Sequence, residues 1–277
     1  MFKFIDLFSG IGGFHQGASW AGGVCVLASD IDKIANETYK KNYGIEPCGD
    51  IYDIKSSDIP DFDLLCAGFP CQAFSQVGQR KGFEDERGLL IFQVLRVLRE
   101  KQPKAFILEN VKGLLSIQGG QIYDLIVSKL KEVGYNVYTK VLEAKDYGTP
   151  QLRKRLFFVG IRTDIKAEFE FPAPVPLKYS FSEVMGGKTE RDYSFTIRIG
   201  GRRSGINNRF NWDAYRVDGQ VRYITPEECL LLHGFPKGFK LCGNEGQKYH
   251  QVGNSVSCCI VNELVKRLQE LEVLPNK

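Results

Sequence analysis

No apolar run in the 277-residue sequence is long enough to cross a bilayer: LFFVGI at 156–161 and AFILEN at 105–110 end after six residues, where about 20 are needed. The start, Met1-Phe2-Lys3, enters a strand pattern at once and ends it on Asp6, which leaves no room for a signal peptide. A cytoplasmic protein with no membrane contact is therefore expected. The eight cysteines (25, 48, 66, 71, 229, 242, 258 and 259) form no CxxC and no Cys/His cluster, which argues against a zinc site or a disulfide framework and predicts no metal. Most read as small buried apolar residues. Cys71 differs, because it follows a proline in a polar, glycine-flanked stretch. Internal repeats and low-complexity tracts are absent as well. The overall charge of +4 shows no strong excess of one sign, but residues 145–222 hold 15 Lys/Arg against 9 Asp/Glu. That concentration suits a surface facing a polyanion, and equally a solvated face of mixed charge.

What is present is alternation. From residue 2 to about 161, strand-like runs (FKFIDLF, VCVLASD, FDLLCAG, AFILEN, and stretches near 135–143 and 155–161) alternate with helical patterns (to Trp20, IDKIANETYKKNY, GLLIFQVLRVLREK at 88–101, and 121–132). This order implies an α/β fold with a doubly wound, mostly parallel sheet, and ligands at the carboxyl ends of its strands. After Arg162 the texture turns to proline, glycine and arginine, marking a second, loop-rich module. Thr225-Pro226-Glu227-Glu228 reads as a helix start with a threonine cap. A last helix is expected from about Ser255 to Glu272, packed back on the sheet. The division read from this is 1–164, 165–249 and a returning segment 250–277.

Candidate site residues fall at the strand ends. Asp6-Leu7-Phe8-Ser9-Gly10-Ile11-Gly12-Gly13 joins the first strand to a helix, and its three glycines let a ligand approach backbone near a helix N-terminus. A tight turn alone would also explain them, and the spacing is not GxGxxG. Asp30 closes the second strand, where it can accept from ribose hydroxyls or simply cap a helix. Asp50-Ile51 can offer a carboxylate and an amide to an adenine edge. Together these suggest an adenosine-containing cofactor.

Gly68-Phe69-Pro70-Cys71-Gln72-Ala73-Phe74-Ser75 follows directly on the strand FDLLCA and sets a thiol beside that pocket. A nucleophilic role requires an electropositive or amide-rich setting, and a buried structural cysteine is the alternative. Glu109-Asn110-Val111 ends the next strand, so Glu109 should reach the same edge. If protonated there it could donate to a ring nitrogen, and otherwise it is a cap or an ion-pair member. Gln151-Leu152-Arg153-Lys154-Arg155 puts Arg153 and Arg155 on one side of an extended chain, able to meet a base carbonyl and a phosphate, or else solvent.

Taken in order, DLFSGIGG, the acid at 30, GDI at 49–51, GFPCQAFS, ENV at 109–111, QLRKR and Gln251-Val252-Gly253-Asn254-Ser255-Val256 resemble the motif series of the DNA (cytosine-5) methyltransferases, most of all the bacterial restriction-modification members. KGFEDERG at 81–88 and TPEEC at 225–229 are similar too. The resemblance spans nearly the whole chain apart from about 165–220. It implies an S-adenosylmethionine-dependent methyltransferase fold with a small target-recognition domain, and methyl transfer to carbon 5 of a cytosine flipped out of duplex DNA. By that resemblance Cys71 attacks carbon 6, Glu109 engages N3 and the exocyclic amine, Arg155 holds the base carbonyl, and Arg153 supports the catalytic loop. Phe8, Gly10, Ile11, Gly12, Gly13, Asp30, Ile31, Asp50, Ile51, Gly68, Pro70, Leu90, Asn254, Ser255 and Val256 would hold the cofactor.

The loop at about 72–88 would close over DNA, with Gln72, Ser75 and Arg87 as contacts. In the recognition segment Arg198, Arg202, Arg203 and Arg209 are the DNA-contact candidates. Two departures stand out: Ile31 replaces the aromatic residue that some members place over the adenine, and the segment between QLRKR and TPEEC is short. A monomer acting on duplex DNA is expected, with a restriction endonuclease as a cognate partner that need not touch it. The alternatives are a transfer-RNA cytosine-5 methyltransferase, an inactive DNA-binding homologue and, on fold alone, a nicotinamide-dependent oxidoreductase.

Overall fold

The computed structural model describes residues 1–70, 90–200 and 202–276. Strand β1 (Phe2–Leu7) is buried on both faces except at Lys3, as its near-continuous apolar sequence requires of a central strand. It leads through the glycine turn into α1 (Gly13–Trp20), then β2 (Gly23–Ser29) and α2 (Lys33–Tyr43). Asp32 starts α2 by accepting the amides of Ile34 and Ala35, and Gly44 ends it in the left-handed conformation. The series continues with β3 (Leu64–Ala67), α3 (Leu90–Lys101), β4 (Ala105–Val111), α4 (Gln121–Glu132), β5 (Tyr135–Glu143) and β6 (Lys154–Arg162).

These strands form one sheet in the order β2-β1-β3-β4-β6-β5. β1 pairs in parallel with β2 and β3, and β3 with β4, while β6 runs antiparallel to both neighbours. The sheet is thus doubly wound and mostly parallel, as the alternation predicts. The reversed strand was not legible in the pattern, but its cause is local: the link between β5 and β6 contains only a short 3-10 turn (Ala144–Asp146), too little for a helical crossover. The direction of winding changes between β1 and β3, which opens a crevice at their carboxyl ends. Phe14 and Ala18 of α1 pack with Ile260, Val261 and Leu264 on one face of the sheet. Ile91 and Val94 of α3 pack with Ile122 and Ile126 of α4 on the other.

Beyond Arg162 the chain forms α5 (Phe181–Met185), a hairpin of β7 (Ala214–Val217) and β8 (Gln220–Tyr223), then α6 (Pro226–His233), α7 (Glu245–Asn254) and α8 (Cys258–Glu270). Thr225 caps α6 in a reciprocal box with Glu228, as read from TPEE. Residues of this region share a core with the rest of the chain: Phe181, Trp212, Tyr215 and Leu232 pack with Ile11, Ala35 and Cys258. The helix expected from about Ser255 to Glu272 is present as α8, three residues shorter at its start and two at its end. Gln251–Asn254 belong to α7, which Asn244 nucleates through a capping box with Gln247, and Ser255 leaves it in extended conformation before α8 begins at Cys258. No helix is long and apolar enough to cross a membrane, and no His/Cys/Asp/Glu group able to hold a metal occurs, both among the described residues.

Candidate active site

At the carboxyl end of β1, Phe8 adopts φ +55° and Gly10 φ +51°. A bulky residue rarely takes that conformation, so the turn holds local strain. The Gly10 amide donates to Asp30 Oδ2 at 2.7 Å and the Asp32 amide to Oδ1 at 2.9 Å, so Asp30 braces the glycine turn from β2. Burial raises the Asp30 carboxyl above its ordinary range, while those amides oppose the shift. Ser29 Oγ donates to the Gly49 carbonyl at 2.7 Å, docking the Gly49-Asp50-Ile51 turn beside Asp30. Arg96 of α3 holds the far side of that turn through the carbonyls of Ile51 and Ile54.

The second half of the site lies at the ends of β3, β4 and β6. Ala67 pairs with Leu108, so Gly68 leaves β3 beside Glu109, which still pairs with Phe157 of β6. A Cβ placed on Gly68 would lie 3.8 Å from Glu109 Oε2. Asn110 Nδ2 donates to the Phe69 carbonyl at 2.8 Å, tying the end of β4 to the chain entering Pro70. Arg155 Nε lies 2.9 Å from Glu109 Oε1. Burial pushes the Glu109 carboxyl up, and the charges of Arg155 and Arg153 pull against it. Cys71, Gln72, Ser75 and Arg87 lie outside the described residues.

A cavity of about 770 Å³ joins the two halves. Of the residues expected around a cofactor, Phe8, Gly10, Asp30, Ile31, Asp50, Ile51, Gly68, Pro70, Leu90 and Asn254 line it, together with Glu109, Arg153 and Arg155. Ile31 is 72% exposed, an apolar side chain on the rim. Ile11, Gly12, Gly13, Ser255 and Val256 are not part of the lining, and packing accounts for them. Ile11 is buried in the core below α6 and α7. Gly12 caps α1 beneath the Tyr43 ring, and a Cβ on Gly13 would come within 2.7 Å of the Val256 carbonyl oxygen. Gly13 therefore lets the chain at Ser255–Val256 close against the start of α1. Sequence reasoning missed Asn110, Ser29, Ile199 and Gly253 as lining residues. Asn110 and Gly253 did carry a signal, since each stands inside a quoted motif, ENV and QVGNSV; Ser29 and Ile199 did not. A smaller hollow on the β7–β8 hairpin, lined by Met185, Asp218 and Arg222, is remote from these strand ends.

Arg153 and Arg155 were expected to act from one side of an extended chain, and their contacts divide them. Arg155 faces Glu109, whereas Arg153 is 2% exposed and donates to the carbonyls of Ile197, Gly253 and Ser255 at 3.1, 3.1 and 2.7 Å. Among the described residues Arg153 thus ties strand β6 to the recognition segment and to the turn after α7. Of the candidate DNA contacts in the recognition segment, Arg198 is next to Ile197, whose carbonyl Arg153 holds. Arg198 is exposed, Arg202 and Arg203 pair with Glu245 at 3.2 and 3.7 Å, and Arg209 stacks on Phe210.

The family model for C-5 cytosine-specific DNA methylase matches residues 2–199 and 182–270 of the chain. The Type II methyltransferase M.NlaX of Neisseria lactamica is 38% identical to it, with 97% of this chain and 96% of the relative aligned. The Type II methyltransferase M.HhaI of Haemophilus parahaemolyticus is 36% identical over 92% and 90% of the two chains. In three dimensions the crystal structure of the S. pombe Dnmt2 methyltransferase superposes with a TM-score of 0.77 over 98% of this chain and 99% of that one; at 23% identity this likeness concerns the fold.

Proposed function

The chain belongs to the C-5 cytosine-specific DNA methylase family, and from that membership we propose that it transfers a methyl group from S-adenosylmethionine to a cytosine flipped from a specific duplex sequence, with Cys71 as nucleophile. It is a DNA cytosine-5 methyltransferase with a methyl-donor cofactor. The observation that carries the finer reading is that one cavity receives both Asp30 and Glu109, and is lined by Pro70, the residue bonded to Cys71.

The residues present fit that donor. Gly10 and Gly49 both line the cavity, and a Cβ at either would project into open space, leaving room for a nucleoside against backbone. Asp30 keeps lone pairs beyond its two amide bonds for ribose hydroxyls, Asp50 would meet the adenine edge, and Ile31 would lie over the adenine. When bound, the donor supplies an electrophilic methyl group on a sulfonium. Everything else falls to the chain. The Cys71 thiolate adds to carbon 6 of the extruded cytosine, and the ring electrons shift so that carbon 5 becomes nucleophilic. Glu109, its carboxyl raised by burial, would donate at N3 and thereby stabilise the ring electrons set free by the thiolate. Arg155 holds the base carbonyl from its place beside Glu109. Transfer of the methyl to carbon 5 would leave S-adenosylhomocysteine, and loss of the carbon 5 proton to water would then expel the thiolate. Extrusion of the base costs a few kcal/mol, which contacts around the vacated stack must offset.

We assign residues 165–249 to target recognition, and a role as the modification enzyme of a restriction-modification system, beside an endonuclease of the same target, follows from the Type II relatives. A cytoplasmic monomer is the form we propose. Bisulfite sequencing of DNA from cells expressing the protein tests this reading. Methylated cytosines in one sequence context are expected. Methyl transfer to transfer RNA but not to duplex DNA in a competition assay would overturn it.

A further inference from the structure

Four arginines of the recognition segment were candidates for DNA contact, and their surroundings differ. Arg202 pairs with Glu245 and its guanidinium stacks 4.2 Å over the Tyr249 ring. Arg203 shares Glu245, and Arg209 lies on the exposed ring of its neighbour Phe210. Arg198 alone of the four has no ion pair, hydrogen bond or ring contact among the described residues, and it is exposed.

Its backbone, in contrast, is fixed from three sides. Arg153 holds the carbonyl of Ile197, and Trp212 Nε1 donates to the carbonyl of Gly200 at 2.8 Å. Behind the segment, Gly253 approaches so closely that a Cβ there would lie 2.9 Å from the Arg198 carbonyl carbon and 2.8 Å from the Ile199 nitrogen. Ile199 lines the mouth of the cavity with 47% of its surface exposed. The four residues 197–200 thus form a ledge held on three sides, with Ile199 lining the cavity.

We propose that Arg198 is the base-reading arginine of this enzyme, carried on a prebuilt ledge at the cavity mouth, while Arg202 and Arg203 hold the phosphate backbone. This rests on the reading of the site as a DNA methyltransferase. Recognition of a base edge through two parallel hydrogen bonds needs a donor placed to within about 0.5 Å, which a pinned backbone and an unengaged guanidinium provide. A phosphate contact tolerates looser placement. Glu245 offsets part of the charge of Arg202 and Arg203, and a phosphate can take its place in the same ion pairs. Bases flanking the extruded cytosine are the ones within reach of the ledge.

The test is methyl transfer by the purified full-length protein to duplexes varied one position at a time around the methylated cytosine. For Arg198→Ala the preference at one position is expected to fall by roughly 10- to 100-fold, the discrimination of one bidentate pair, with cofactor affinity unchanged. Arg198→Lys keeps the charge without the fork, so it should relax the same position; it also serves should the alanine variant not fold. The Arg202→Ala/Arg203→Ala pair should slow transfer on all sequences alike and reduce the salt dependence of binding by about two units of slope. Equal loss on every sequence for Arg198→Ala, or wild-type preference in both Arg198 variants, overturns the assignment. A wild-type protein that methylates no cytosine in duplex DNA would instead remove the functional reading beneath it.

Discussion

Arg155 holds Glu109 diagonally across the β4–β6 pair, Nε to Oε1 at 2.9 Å, because Glu109 lies opposite Phe157 and Arg155 two residues further along the same face. The two are opposed influences on one proton: burial raises the Glu109 carboxyl, and the guanidinium lowers it. Glu109→Gln preserves the shape and an acceptor for Arg155 but has no titratable proton. Single-turnover methyl transfer should fall by ~10²–10⁴-fold, with cofactor affinity unchanged. Wild-type single-turnover rates in this variant would leave Glu109 a structural residue only.

The nucleophile has a chemical signature independent of rate. Duplex DNA carrying 5-fluorocytosine at the target should trap a covalent adduct on Cys71, since fluorine cannot leave as a proton does. Cys71→Ser should abolish both adduct and transfer while still binding cofactor, because a hydroxyl is far less ionised than a thiol. Mass spectrometry placing the adduct on another cysteine sinks the assignment.

Asp30 gives the pH dependence of cofactor binding. Its carboxyl is raised by burial, so on acidification it takes up a proton at a higher pH than an ordinary aspartate, and the protonated form loses acceptor capacity for ribose hydroxyls. Affinity for S-adenosylmethionine should therefore weaken as pH falls from 7 through that raised value. The linkage to folding has the opposite sign: a raised pKa favours the folded state below it, and that contribution is lost as pH rises through it. Calorimetric titration of wild type and Asp30→Asn should show the acid-side weakening in the wild type alone; the same slope in both would place the proton elsewhere.

Arg153 is predicted to be a positioning residue. Arg153→Met strands three buried carbonyls, at about 1–3 kcal/mol each for an unsatisfied polar group, so melting should occur well below wild type. In the milder Arg153→Lys, which reaches fewer carbonyls, the Michaelis constants for DNA and cofactor should rise together, because the recognition ledge and the turn after α7 hang on the same guanidinium. A loss confined to the chemical step would make it a catalytic group instead.

The alternation of strand and helix was legible because both periods are written locally, and so were the TPEE cap and the placing of Glu109 beside the Gly68-Phe69-Pro70 segment, since strand ends in a parallel sheet share one edge. The reversed β6 was not, because its direction depends on which strands lie nearby and not on its own residues. Ile11, Gly12, Gly13, Ser255 and Val256 show the same limit. A glycine that admits a ligand and a glycine that admits a neighbouring chain look alike until the chain at Val256 is seen against Gly13.

The sequence by itself determined the sheet class, the chemistry carried at the strand ends and membership in the cytosine-5 methylase series, because these rest on residue type, order and local periodicity. The resemblance already gave Arg153 and Arg155 different tasks; only the tertiary structure showed the contacts behind them and separated Arg198 from Arg202 and Arg203. A guanidinium has the same charge and reach at every position, and its task is set by what surrounds it: three backbone carbonyls 44 to 102 residues away for Arg153, a glutamate on the next strand for Arg155, Glu245 for Arg202 and Arg203, and open solvent beside the cavity-lining Ile199 for Arg198.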